Sequence, residues 1–348
     1  MDFAECYQDT CSALALAARQ GDARQVQRLL KLGYSGDVKD NRGWNALHEA
    51  AASGHLSCVE ALLHHGANPD LFCNQEQWQL PIHAAAQFGQ IRILQRLVDV
   101  TCRDCDRAEG KVSPVYLAVL GEKAASLRPL LQAGYSADAQ PCPQFGYGCP
   151  LELWTGFKIC DEQGSCDPEK EIVRSLLAAG AQASERAYVC ALRHSEVLPL
   201  ILDYRGLPGG EDGAKLAKRA LLEMWNAAHW LPLLLKAGMD PSLFLNCKMF
   251  EETHINVLCF FLEFLNWSTL PAELQTTLTR RLAEMPPSSV PALAHLCRLA
   301  LRDAAGSDRL AKKSFVQRLP IPSILHDYLQ FSSVFRAYRN TFSSPSNS

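Results

Sequence analysis

The sequence predicts an all-α fold, a solenoid of paired helices joined by β-hairpin tips, followed by a separate helical segment near the C-terminal end. Two observations predict this architecture. The string Leu-Leu-x-x-Gly recurs along the first two thirds of the chain, ending at Gly33, Gly66, Gly134, Gly180 and Gly238. A row of apolar residues at helical spacing follows closer to the C-terminal end and comprises Val290, Leu293, Cys297 and Leu301.

Composition bounds the classes of function. The 348 residues are 48% hydrophobic and 20% charged, as in a folded protein that is large enough for two domains. A net charge of −3 gives no electrostatic reason to expect nucleic acid or an anionic membrane as a partner. The most apolar window, residues 255–267, is too short to insert into a membrane, and the N-terminal residues lack a secretion signal. We therefore expect a cytoplasmic protein whose 14 cysteines are mostly reduced thiols.

The repeated string has a regular period. Gly33 and Gly66 are 33 residues apart, Gly134 follows about two periods later, and a degenerate copy at residues 94–100 fills the gap. A period of about 33 residues is that of ankyrin repeats. Residues 45–51 and 80–86 resemble the Thr-Pro-Leu-His-x-Ala signature of those repeats, and residues 113–118 form a third copy. The chain therefore resembles an ankyrin array.

The repeat signature explains several residues that could otherwise suggest catalysis. In each repeat, small Ala residues let helices approach closely, and the final Gly ends the second helix in a left-handed conformation. We predict that His48 and His83 bond the turn backbone and connect adjacent repeats, and that neither is a catalytic base. Residues 40–43 are predicted to form a hairpin tip. Because no nucleophile elbow, phosphate loop or HExxH motif is present, we expect a non-catalytic protein without a cofactor.

Beyond Gly134 the period lengthens. Residues 141–168 form an insertion rich in Pro, Gly and Cys, residues 188–203 are predicted to be a degenerate helical pair, and residues 207–213 an exposed loop. We predict four segments in all. They are an array of six or seven repeats at 1–250, a helical bridge at 251–285, a docking segment at 286–331 and a tail at 332–348 that is disordered after Tyr338.

The docking segment contains two apolar helices separated by a proline-rich turn. The first carries the row Leu293, Cys297 and Leu301, the turn is Leu319-Pro320-Ile321-Pro322, and the second carries Leu325, Tyr328 and Leu329. Some forty residues cannot bury both faces of two such helices, so another chain is expected to cover one face.

At these residues the chain resembles the SOCS box of ubiquitin-ligase substrate receptors. The resemblance implies a three-helix module in which Leu293, Cys297 and Leu301 bind elongin C, which carries elongin B. It also implies that the turn from Leu319 to Pro322 selects the fifth cullin and its RING partner. One departure is Ala292, where the family usually has Ser, Thr or Pro.

An ankyrin array followed by a SOCS box resembles the ankyrin-repeat and SOCS-box family over nearly the whole chain. The implied function is a substrate-recognition subunit whose array binds an unidentified target for ubiquitination and proteasomal degradation. Residues 1–44 and 73–86 are most similar to one member with a longer array, which implies missing repeats and a join between Glu49 and Glu60. The alternative is a plain ankyrin scaffold or sequestering inhibitor with a helical cap.

Two further groups of residues were considered. Trp44 and Trp78 lie at predicted hairpin tips, where each could anchor the target or pack on a neighbouring hairpin. Trp154 and Phe157 are weaker candidates of the same kind. Cysteines occur at zinc or redox spacing and in the insertion, but packing or loop thiols are favoured and no metal is expected. These cysteines are Cys102, Cys105, Cys142, Cys149, Cys160 and Cys166.

Overall fold

The computed structural model of the chain is helical, as predicted, and contains no β-strand within the residues it describes. Clustering of contacts divides the chain into two compact units, Met1–Ala183 and Ser184–Ser348. The described residues are 12–73, 79–107, 112–138, 148–157, 167–194, 196–266, 270–282, 293–306, 309–310, 312–319, 321 and 323–343.

The first unit is a stack of helix pairs. One helix of each pair packs on its counterpart in the next pair, so that α1, α3, α5, α8 and α10 form one row and α2, α4, α6, α9 and α11 the other. The bounds are α1 Ala13–Gln20, α2 Ala23–Lys31, α3 Ala46–Ser53, α4 Leu56–His64, α5 Pro81–Phe88, α6 Ile91–Val98, α7 Asp104–Arg107, α8 Pro114–Leu120, α9 Ala124–Gln132, α10 Pro150–Phe157 and α11 Asp167–Ala178.

Small residues allow this close stacking. Ala18, Ala50 and Ala84 are fully buried in the first row of helices. Gly21 ends α1 with φ +77°, and a Cβ on it would lie 2.6 Å from the His55 ring of the next repeat. Glycine is therefore required at this position by both backbone conformation and space. The predicted tip at residues 40–43 is a tight turn, in which the Asp40 N–H donates to the Trp44 carbonyl at 2.7 Å.

The two signature histidines connect neighbouring repeats, as predicted. His83 Nδ1 accepts the Leu80 N–H at 3.0 Å, and its Nε2–H donates to the Val112 carbonyl at 2.6 Å. His48 donates in the same way to the Gln79 carbonyl at 3.1 Å. Burial lowers the pKa of both imidazoles from 6.5 to about 4, so both are neutral near pH 7.

Because these histidines are buried and neutral, we predict that the first unit loses stability in mild acid. The unfolded chain takes up protons near pH 6.5, whereas the folded imidazoles resist protonation until about pH 4. The contribution of these histidines to the free energy of unfolding is therefore fully present above pH 6.5. It is lost as the pH drops toward 4, by about 3 kcal/mol for each histidine. Hydrogen exchange of the full chain between pH 7 and 4.5 measures this slope. His83→Gln should reduce the slope, whereas the exposed His64→Gln should not, and equal slopes would contradict the prediction.

The second unit begins with two further helix pairs and ends with the docking segment. Here α12 packs on α14 and α13 on α15. The bounds are α12 Glu185–Ala191, α13 Val197–Arg205, α14 Gly210–Ala220, α15 Ala227–Ala237, α16 Cys247–Glu252, α17 Ile255–Leu262, α18 Ala272–Leu282, α19 Leu293–Ala305, α20 Lys313–Val316, α21 Ser323–Leu329 and α22 Ser332–Ser343. Short 3-10 helices occupy Met224–Asn226 and Pro241–Phe244.

Two sequence predictions are wrong in this unit. The loop predicted at 207–213 ends early, because α14 begins at Gly210 and buries Gly213 and Leu216. The tail predicted to be disordered after Tyr338 is helical to Ser343, and α22 packs on α17 and α21. Among the described helices, none combines the length and the apolar character that crossing a lipid bilayer requires.

Candidate partner-docking site

Helix α19 presents an apolar row to solvent. Cys297 is exposed and Leu301, one turn later, is 53% exposed. Leu293 is the first described residue of the helix, and its side chain lies outside the described residues. Residues four apart lie on the same helical face, so the three predicted residues share one face. Leu325 of α21, which packs on α19, is also exposed, at 41%.

The opposite face of α19 is polar and buried, which the sequence analysis missed. His295 donates from Nε2 to the Leu265 carbonyl at 3.0 Å, Arg298 donates to Glu263 at 3.1 Å, and Arg302 donates to the Leu329 carbonyl at 2.9 Å. All three residues are buried. The helix thus reverses the usual pattern, in which charged residues face water and apolar residues face the core.

One aromatic ring contacts both buried guanidinium groups, and Arg298 also lies over the Tyr328 ring and pairs with Glu263. Phe331 is fully buried, and the guanidinium carbons of Arg298 and Arg302 lie 4.0 and 4.9 Å from its ring centroid. Its other face stacks on Phe264 at 4.2 Å. Cations over an aromatic face are stabilised by the ring quadrupole, most strongly when water is excluded. The packing holds α19 with its apolar row outward.

The predicted cullin-selecting turn is partly built into the core of the second unit. Leu319 and Ile321 are half-buried and pack on a small cluster formed by Leu310, Val316 and Leu329. Pro320 and Pro322 lie outside the described residues. The two apolar residues therefore stabilise the fold of the segment in addition to any contact with a partner.

The aromatic candidates of the array differ in position. Trp44 is half-buried, with the Arg42 guanidinium 5.0 Å from its ring centroid and the His48 ring at 5.6 Å. Trp78 lies outside the described residues, as does the side chain of Phe157. Trp154 is only 7% exposed, so the prediction that it could anchor a partner is wrong.

Another exposed aromatic residue was not predicted. Trp225 is 73% exposed and Leu222 is 63% exposed, both in the connection between α14 and α15. The Trp225 Nε1–H donates to Glu223 at 2.8 Å, which orients the ring. The predicted anchors lie at hairpin tips, whereas Trp225 lies between the two helices of a degenerate pair.

The cysteines are placed as packing or surface thiols where they are described. Cys105 is buried and Cys102 exposed, and the Cys105 thiol donates to the Cys102 carbonyl at 3.4 Å. Cys149 is half-buried, whereas Cys142, Cys160 and Cys166 lie outside the described residues. Within the described part of the chain, no group of three or more His, Cys, Asp or Glu side chains is placed to hold a metal ion.

Known families match both parts of the chain. The SOCS box family matches residues 289–330, and the family described as ankyrin repeats (3 copies) matches residues 2–73. Ankyrin repeat and KH domain-containing protein mask-1 of Caenorhabditis elegans is 35% identical over 88 residues, which cover 25% of this chain and 3% of that protein. The crystal structure of the human ASB11 ankyrin repeat domain is 24% identical and covers 56% of this chain and 84% of that one, with a TM-score of 0.46.

Two curated relatives match almost the whole chain. Ankyrin repeat and SOCS box protein 3 of Homo sapiens is 37% identical over 517 residues, covering 97% of this chain and 98% of that protein. The Bos taurus protein of the same name is 38% identical over 515 residues, covering 97% and 96%. Because the human alignment extends over 517 residues and this chain has 348, a long segment of the relative has no counterpart here. This chain belongs to the family of ankyrin repeat and SOCS box proteins.

Proposed function

We propose that the chain is the substrate-recognition subunit of an elongin–cullin–RING ubiquitin ligase. One observation carries the proposal, namely the apolar row on α19 that remains exposed while the cationic face of the same helix is buried. The row lies inside the SOCS box match at 289–330. A folded chain that exposes such a row has a surface for another protein to cover.

The proposed partner of the row is elongin C, bound to elongin B. Burying one Leu side chain contributes about 1.5–3 kcal/mol, so Leu293 and Leu301 together can supply much of the affinity. Cys297 lies between them, and its small thiol would act as a compact apolar group that enters a narrow pocket. The fifth cullin and its RING partner would be selected by the turn from Leu319 to Pro322.

The proposed mechanism is positioning. The array holds a target protein while the ligase scaffold brings a charged ubiquitin conjugate close to it, which raises the effective concentration of a target lysine. The chain itself makes and breaks no bond. The imidazoles of His48 and His83, whose pKa values are lowered by burial, form hydrogen bonds to backbone carbonyls between repeats.

We further propose that the array spans residues 1–250, the bridge 251–285 and the SOCS box 286–331. Trp44 and Trp78 remain the proposed anchors for the target, and the exposed Trp225 joins them as a third. We also propose that the chain acts in the cytoplasm, where cysteines are usually reduced thiols.

Replacing both prolines of the turn should separate the two ligase contacts. Pro320→Ala with Pro322→Ala loosens the turn, so that it loses more conformational entropy when the cullin binds. We expect cullin capture to weaken about tenfold while elongin capture is unchanged. Pull-downs of the purified chain with the elongins and then the cullin measure both contacts.

The control for this experiment is Leu319→Ala. Leu319 packs on the cluster of Leu310, Val316 and Leu329, so its truncation should loosen the fold of the box as well as the cullin contact. The separation of roles is contradicted if the double proline variant loses elongin and cullin to the same extent.

Affinity purification of the tagged chain from cells, followed by mass spectrometry, tests the proposed function. The elongins and the cullin should copurify under all conditions, and target proteins should accumulate when the proteasome or neddylation is inhibited. A plain scaffold or sequestering inhibitor predicts partners that are insensitive to either inhibitor and purify without elongins. That outcome would replace the ligase proposal.

A further inference from the structure

A cavity of about 620 Å³ in the second unit is lined by positive charge. Helices α15, α19, α20 and α22 each contribute to its wall. Among the described residues that line it there is no Asp or Glu. The cationic side chains in the lining are Lys236, Arg302, Lys313, Arg336 and Arg339.

Arg302 is a buried cation without a carboxylate partner. It is 7% exposed, and its only hydrogen bond within the described residues is the one from Nη1 to the Leu329 carbonyl. A guanidinium carries five N–H donors in a fixed plane, so several donors remain for a bound group. Burial, followed by repulsion from Arg298, lowers the pKa of Arg302 to about 10. A bound anion would compensate the charge at this position.

Three other cations of the lining are also unpaired. Lys236, Lys313 and Arg336 make no ion pair with any residue that the structure describes, although they are exposed. Elsewhere in the unit, arginines form ion pairs with carboxylates, as Arg298 does with Glu263 and Arg193 with Glu223. Like charges from three separate helices converge at this cavity, an arrangement that repels itself unless an anion is bound.

The rest of the wall is largely apolar. Phe264, Phe331 and Phe335 line the cavity together with the cations. Apolar walls exclude water and strengthen each electrostatic contact inside. The volume is within the range of small-molecule sites, and the planar guanidinium matches the geometry of a phosphate group. We propose that this cavity binds a small polyanion that carries several phosphate groups.

The site is distinct from the docking row. Arg302 belongs to the buried face of α19, whereas Cys297 and Leu301 belong to the exposed one. The inference therefore does not depend on elongin binding. Loss of the polyanion would leave elongin capture unchanged, and the two proposals can fail separately.

Calorimetry of the full chain with inorganic triphosphate tests the site. The purified chain, alone or with the elongins, is titrated at low and at physiological salt. In a second arm, sedimentation with phosphatidylcholine vesicles, with and without phosphatidylinositol bisphosphate, tests whether the phosphates belong to a lipid headgroup.

Lys313→Gln with Arg336→Gln removes two exposed cations of the lining and should weaken binding about tenfold or more. The matched control removes the same charge outside the cavity, by Lys248→Gln with Arg318→Gln.

Several results support the proposal and several overturn it. Binding of triphosphate that only the lining variant weakens supports a free phosphate ligand, and binding confined to the bisphosphate vesicles supports a lipid headgroup. Equal weakening by both variants, or no binding at millimolar triphosphate, overturns the site. A glutamate-rich peptide that binds as tightly as triphosphate overturns the phosphate assignment. Circular dichroism checks the fold of each variant, and Lys236→Gln provides a second probe if the double variant unfolds.

Discussion

Elongin capture is expected to disappear when Leu293→Pro and Cys297→Phe are combined in one chain. Leu293→Pro removes an apolar side chain of the proposed anchor together with the backbone N–H at that position. Phe at 297 adds bulk at the centre of the proposed contact, where we propose that the small thiol enters a narrow pocket of elongin C. Truncating a buried Leu anchor alone costs about 2–4 kcal/mol, or roughly 30- to 1000-fold in affinity.

A pull-down with purified elongin B and elongin C measures this effect, and circular dichroism reports the helix content. The matched control is Cys247→Phe, which places the same bulk at another exposed cysteine of the second unit, the first residue of α16. The control should bind elongin as the unaltered chain does. Elongin binding retained by the double variant contradicts the docking row, and loss of the whole fold favours the helical cap.

Phe331→Ala is expected to loosen the packing of the docking segment against the rest of the second unit. The fully buried ring stacks on Phe264 and lies beneath two guanidinium groups. Truncating a buried Phe costs about 3–5 kcal/mol, and here it also removes the ring contact of Arg302 and one of the two ring contacts of Arg298. The backbone at residue 331 has φ +56°, a strained conformation that Ala does not relieve.

Hydrogen exchange measured on the full chain localises the loss. Amides of α19, α21 and α22 should lose protection, whereas those of the first unit should not change. Phe335→Ala removes a half-buried ring from the same aromatic group, 5.6 Å from Phe264, and should have a smaller effect. If α19 keeps its protection in Phe331→Ala, the ring does not hold the helix in place.

Periodicity made the array predictable. The 33-residue spacing, the Ala-rich first helices and the glycines that end helices each have one physical cause, so they agree with one another in the sequence. The role of His48 and His83 followed from their place in the signature, and their hydrogen bonds bear it out. The apolar row of α19 could also be predicted from the sequence, because residues four apart share a helical face whatever surrounds them.

The inward face of α19 was not predictable by the same rule. Hydrophobic patterning assigns Arg298 and Arg302 to solvent, whereas tertiary contacts with Phe331, Glu263 and the Leu329 carbonyl accommodate their burial. Helix α22 was missed for a different reason. The Ser and Asn content after Tyr338 indicated disorder there, yet the helix continues to Ser343, and its Phe335 and Tyr338 pack on Phe260.

The loop predicted at 207–213 shows the limit of composition. Three glycines and a proline favour a loop, but Glu211 and Asp212 lie in the first turn of α14, where negative charge stabilises the helix dipole. Burial of Leu216 and Ala220 then fixes the helix. Tertiary packing overrides a local preference of about 1 kcal/mol per glycine.

The most direct test is a calorimetric titration of the full, unaltered chain with the purified elongin B–elongin C complex at several temperatures. A substrate receptor should bind with one-to-one stoichiometry, with a dissociation constant of about 1 µM or tighter. The enthalpy should become more negative as temperature rises, because covering the exposed row on α19 buries apolar surface. No complex at tens of micromolar, or a complex whose binding enthalpy does not change with temperature, would contradict the proposal that this row is a ligase docking site.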